Sequence, residues 1–227
     1  MTFQAPEVSK RHRNRAAYAA FTEHIERLCR TDPGARAALR AGLRRDLDHP
    51  RTRPMHRLLT PRLPQGCDDK TAQAHYTVAS LIAAQPRHAF TPDPDDDQEF
   101  DENTADEQEA EKKQVRQDGA PDEKAPMPEP APYGSSFGAT LGQAVIAKGA
   151  SMRLSAAESR INLLTRQSLR GIHLHLPGAV NQVRTTGALI DWGQLLADLV
   201  DWPYQSGRIS RRWLQDFYRI TARADQD

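Results

Sequence analysis

The side chains of this chain that are spaced to do chemistry are arginines. Arg36, Arg40 and Arg44 stand at i, i+4 and i+8, one position round from Leu39, Leu43 and Leu47. A helix there carries a guanidinium stripe along the border of its buried face. Arg45 adjoins the stripe, and Lys148, Arg153, Arg160, Arg166 and Arg170 place further cations on the edges of later helices. Arginine heavily dominates lysine, and its planar fork of donors matches phosphate oxygens in a fixed geometry. The chemistry is therefore the holding of a nucleic-acid backbone. With no zinc finger, RRM signature or clear recognition helix in the chain, binding without base readout is the expected form.

Catalytic patterns are missing. There is no GxxxxGK[ST] loop, GxGxxG turn, GxSxG elbow or HExxH helix, and the segments expected to fold hold few carboxylates for magnesium. The run DPDDDQEFDE resembles a calcium loop only superficially, because Gln98 and Thr104 occupy the positions that require glycine and glutamate. His173 and His175 are a close pair at i and i+2, which puts them on different faces of a helix; they read as surface or loop histidines and make a poor zinc site. Cys29 and Cys67 are far apart with no CxxC, as for reduced, inert thiols. The expectation is a protein that is not an enzyme and carries no cofactor or metal. No apolar run approaches the roughly 18 residues of a membrane span. The start, MTFQAPEVSKRHRNR, lacks the apolar run of a signal peptide, so a soluble, cytoplasmic location is expected.

The net charge of +1 conceals a segregation. Of 31 basic and 30 acidic residues, 4 and 15 lie in residues 93–129, leaving 27 and 15 elsewhere, a net charge of +12. A folded surface with that excess repels itself, and the usual reason to keep it is a polyanionic partner. Residues 91–132 combine acidic clusters, repeated proline and almost no large apolar side chains, so they cannot offset the entropy of ordering and read as a disordered linker.

The elements that must position the arginines are helical. Tyr18, Phe21, Ile25 and Leu28 recur at three and four, giving a helix that ends near Thr31. Asp32 before Pro33 caps a second helix expected to run to about Leu47. MHRLL forms a short piece between prolines, and residues 71–84 form a third main helix around Ala72, Tyr76 and Ala79. After the linker, SSFGATLGQAVIA offers Phe137, Leu141, Ala144 and Val145 on one face. Ser155 with Glu158 and Asp191 with Gln194 read as capping boxes. Pro203 and Gly207 are expected to break the helix that starts at Trp192, with Ser210 capping a final one around Trp213 and Phe217. No run of alternating β-branched residues occurs. The expected fold is all-α, with two small helical bundles, 1–90 and 133–227, joined by the long acidic disordered linker 91–132.

The runs SRINLLTRQSL, ALIDWGQLLADLVDW and ISRRWLQDFY, with GARAALRAGL, MHRLL, AHYTVASLIAAQP and SSFGATLGQ before them, resemble the CasB family, the small subunit of the type I-E CRISPR Cascade surveillance complex. The resemblance implies a non-enzymatic helical protein. It pairs with a second copy of itself, lies beside the backbone and large subunits of Cascade, and touches guide RNA and target DNA in antiviral defence by stabilising the R-loop. It also implies that Arg40, Arg160 and the basic turn Arg208, Arg211 and Arg212 bind nucleic acid. Two departures stand out: Asn181 takes one basic position of the family, in a stretch that Pro177-Gly178 is expected to interrupt, with Arg184 nearby to stand in, and the acidic insertion exceeds the usual loop. The competing expectation is a helical scaffold whose basic faces bind acidic proteins.

Overall fold

The computed structural model describes residues 5–86, 134–147 and 152–224, with side chains from residue 14 onward. The linker 91–132 and Lys148 lie outside the described residues. Within them the chain is all helical, and no helix is long and apolar enough to cross a membrane.

Helix α1 spans Ala5–Thr31 and α2 Pro33–Arg40, where Asp32 Oδ1 accepts from Ala35 N–H at 2.9 Å. That cap is the one expected from Asp-Pro, but α2 stops at Arg40, seven residues short of Leu47. A Cβ at Gly42 would lie 2.2 Å from Met55 Sδ, so the chain turns there against the core instead of continuing as helix. The short α3, Arg53–Leu59, follows between prolines, then α4, Asp69–Ala83, capped by Asp68. Helix α4 is buried along most of its length and forms the centre of the molecule.

The later helices are α5 Phe137–Ile146, α6 Leu154–Thr165, α7 Leu169–Arg184 and α8 Trp192–Ala224. Three local expectations change. The Ser155–Glu158 box does not form, because α6 starts at Leu154 with Arg153 in the capping position and no side-chain cap. Pro177 sits inside α7 without ending it. The interruption expected at Pro203 and Gly207 is present: Gln205, with φ of −135° and ψ of 24°, is non-helical, and α8 consists of two helical segments joined across a kink there. Ser210 does not cap, its hydroxyl donating to Thr165 O at 3.0 Å.

Helices from residues before and after the linker share one core, with Ile25, Leu39, Met55, Val78 and Ile82 joining Phe137, Leu141, Ile161, Leu176, Trp202, Trp213 and Phe217. Each fully buried side chain of this size contributes about 1.5–3 kcal/mol. Trp213 is in ring contact with Phe137 and Trp202, at 5.5 and 5.4 Å between centroids. Its indole N–H donates to Asp198 Oδ2 at 2.7 Å, while Gln194 and Arg212 donate to Oδ1. The buried carboxylate is thereby paired and hydrogen-bonded, as such a group must be.

His173 is buried, contrary to the surface reading. Its Nδ1 lies 2.9 Å from Thr77 Oγ1, and Nε2 is buried without a partner. Burial pushes its pKa down from 6.5 to about 4, against the opposing pull of Asp46. A proton therefore binds the unfolded chain more readily than the folded one. The stabilisation is complete above about pH 6.5 and is lost as pH falls toward 4, about 3 kcal/mol in all. Denaturation midpoints measured from pH 7.5 to 4.5 are expected to fall steeply in the wild type and less steeply in His173→Gln. Buried His75, whose pKa is also lowered by desolvation, retains part of the slope in both proteins. Parallel curves would exclude His173 as the titrating group.

Cys29 and Cys67 are free. Burial pushes the Cys29 thiol up to about 11, so it is an inert apolar filler, as the sequence implies.

Candidate nucleic-acid interface

Arg44 sits in the turn that replaces the end of α2. Its φ of 60° is the one positive value among the described non-glycine residues, a conformation that costs a side-chain-bearing residue about 1–3 kcal/mol and persists only where the surroundings over-determine it. Here they do. Gln73, projecting from α4, accepts from Leu47 N–H at 3.1 Å and donates to Arg45 O at 3.0 Å, clamping the turn from both sides. The Thr52 hydroxyl donates to Asp46 O at 3.0 Å. Arg45 lies with a guanidinium nitrogen 2.6 Å from His49 Nε2.

Arg160 reaches the same place from α6. Its Nε donates to Gln182 Oε1 on α7 at 2.8 Å, which fixes the plane of the guanidinium and leaves its terminal nitrogens for other work. Between the two arginines lies Gly178. A Cβ there would be 3.7 Å from Arg160 Nη1 and 3.7 Å from Arg44 Nη2, so the two cations stand no more than twice that distance apart over a helix surface bare of side chain. No ion pair of the described residues involves either arginine. Two like charges, the Arg160 guanidinium held by Gln182 and Arg44 exposed on its clamped turn, thus make a positive notch over Gly178.

The other sequence candidates separate into two groups. Arg36 donates to Ala83 O and Gln85 O, satisfying carbonyls at the C-terminal end of α4. Arg212 is tied to buried Asp198. Both guanidiniums thus hold the fold together. Arg184, which stands near the missing basic position, donates to Leu81 O and lies 5.8 Å from the Trp192 ring centroid; burial lowers its pKa to about 10. It is an internal tie between helices and does not replace Asn181 as an exposed cation.

Arg40, Arg153, Arg166, Arg170, Arg208 and Arg211 are exposed. Arg166 and Arg170 flank the break between α6 and α7, where Ser168 caps α7. Arg170 lies 3.9 Å from Asp46 in a pair open to solvent, an arrangement of little energetic weight. Arg208 donates to Gln205 beside the α8 kink. Sequence reading missed Gln73, Gly178 and Gln182. The first two bear no charge periodicity, and the third became visible only when α7 ran unbroken through Pro177. Among the described residues no group of three or more His, Cys, Asp or Glu side chains is placed to hold a metal ion.

Residues 35–218 match the family model of CRISPR-associated protein Cse2. A chain from a solved structure described as a CRISPR RNA-guided surveillance complex is 28% identical, with a TM-score of 0.68 over 94% of this chain and 98% of that one. A chain from another, described as a CRISPR RNA-guided surveillance complex, pre-nicking, is 29% identical with a TM-score of 0.68, covering 93% and 97%. No curated protein matches the sequence.

Proposed function

Because the chain belongs to the CRISPR-associated protein Cse2 family, we propose that it is the non-catalytic small subunit of a type I-E Cascade that grips nucleic-acid backbone without reading sequence and so stabilises the R-loop. Its partners on this reading are a second copy of itself, the backbone and large subunits, guide RNA and target DNA. The observation that carries the proposal is the convergence of Arg44 and Arg160 over Gly178. The Gln73 clamp fixes the backbone from which Arg44 projects and Gln182 holds the Arg160 guanidinium, and a phosphate is the ligand that uses both cations. Exposed Arg40, Arg166 and Arg211 extend the positive surface. R-loop formation exchanges one duplex for another at nearly balanced energy, so a few backbone contacts are enough to shift it.

The test is a salt titration of the full chain with unrelated single- and double-stranded DNA. Binding is expected without sequence preference, with log affinity falling linearly in log salt at roughly 0.7–0.9 per phosphate contact. If the basic faces serve only acidic protein partners, neither DNA binds at low salt.

A further inference from the structure

The outer line of α8 has a composition that phosphate binding alone does not explain. After the kink at Gln205, Arg211, Gln215 and Tyr218 are all exposed, at i, i+4 and i+7, and so lie on one row along the helix. Arg211 and Tyr218 are separated by about 10.5 Å along the axis at 1.5 Å per residue. Tyr218 is 44% exposed although it is a large aromatic side chain. It touches Phe217 at 5.1 Å between centroids with the rings inclined by 75°. The other prominent exposed tyrosine is already engaged: the Tyr204 hydroxyl donates to Asp68 Oδ2, and Lys70 Nζ lies 5.4 Å from the centroid of its ring. Among the described residues nothing comparable covers Tyr218. The carboxylate closest in sequence, Asp216, is turned away, accepting from Ser136 and paired with Arg219 at 2.9 Å. The row thus presents a cation, a neutral hydrogen-bonding side chain and an open aromatic ring, with no acid among them.

We propose that this face of α8 is a stacking platform for an unpaired nucleic-acid strand, with Arg211 on a phosphate and Tyr218 against a base. The inference rests on the nucleic-acid reading above and adds the class of ligand: bases in a duplex are stacked on one another and cannot lie on a side-chain ring, whereas an unpaired strand offers them. An acidic peptide would use Arg211 but gains little from the tyrosine.

The test uses the full chain with labelled oligo-dT and with an abasic strand of equal length, which keeps the phosphates and lacks the bases. Tyr218→Ala is expected to weaken oligo-dT binding at least about fivefold and to leave the abasic strand unchanged, Tyr218→Phe to bind oligo-dT as the wild type does, and Arg211→Glu to weaken both strands. Equal losses on both strands in Tyr218→Ala, or no loss on either, would overturn the platform while leaving phosphate binding intact. Tighter binding of polyglutamate than of oligo-dT would assign the face to a protein partner and overturn it. Failure of the wild type to bind either strand would remove the nucleic-acid reading itself, and the platform with it.

Discussion

Gly138→Ala is expected to destabilise the protein by at least about 3 kcal/mol, or to prevent folding, although alanine is the better helix former. A Cβ at residue 138 would lie 1.9 Å from Trp213 O and 2.5 Å from Trp213 C, atoms of the α8 backbone that cannot rotate aside. Helix α5 therefore lies directly on the main chain of α8, and the contact is locked by Ser136, whose hydroxyl caps Ala139 N–H and donates to Asp216 at 2.7 Å. Relief requires the two helices to separate, which opens the Phe137–Trp213–Trp202 ring stack at the centre of the core. One turn on, Gly142→Ala is expected to cost less, because its Cβ would meet Ile220 Cβ at 3.0 Å and Phe217 O at 3.2 Å. Propensity alone gives the opposite sign, a gain of about 1 kcal/mol at a helical glycine. Urea denaturation of the two variants separates the accounts: a raised or unchanged midpoint for Gly138→Ala would show that α5 and α8 are not in backbone contact.

Much of the fold is legible in the sequence where local chemistry decides it. Asp32-Pro33 places the start of α2, the apolar spacing of residues 71–84 places α4, and Asp191 caps α8 through Gln194 N–H at 2.8 Å. Sequence reading falters where tertiary contacts outweigh propensity. The periodicity of Leu39, Leu43 and Leu47 favours a longer α2, but the close approach of Gly42 to Met55 and the clamp from Gln73 turn the chain at Arg44. Pro177 reads as a break, yet α7 runs through it, whereas the break expected around Pro203 and Gly207 does occur, at Gln205.

The site is legible to the same degree. Charge pattern singles out Arg44 and Arg160, and the resemblance adds weight to Arg160, but their meeting over Gly178 depends on the turn and on an unbroken α7, which no local pattern encodes. Arg36 and Arg212 show the converse. Exposed cations and structural cations share one spacing rule, and only the carbonyls of α4 and the carboxylate of Asp198 distinguish them.

The central claim is that the Arg44–Arg160 notch holds a phosphate of the R-loop. Its most direct test is the lifetime of an R-loop on Cascade assembled with Arg44→Glu/Arg160→Glu, measured across a salt series. The control is Arg30→Glu/Arg57→Glu, two exposed arginines whose reversal changes net charge by the same amount. Loss of that one phosphate contact is expected to shorten the lifetime at least about tenfold and to reduce the salt slope by about 0.7–0.9. The control is expected to stay near the wild type. Equal lifetimes and equal salt slopes in the two double variants would contradict the assignment.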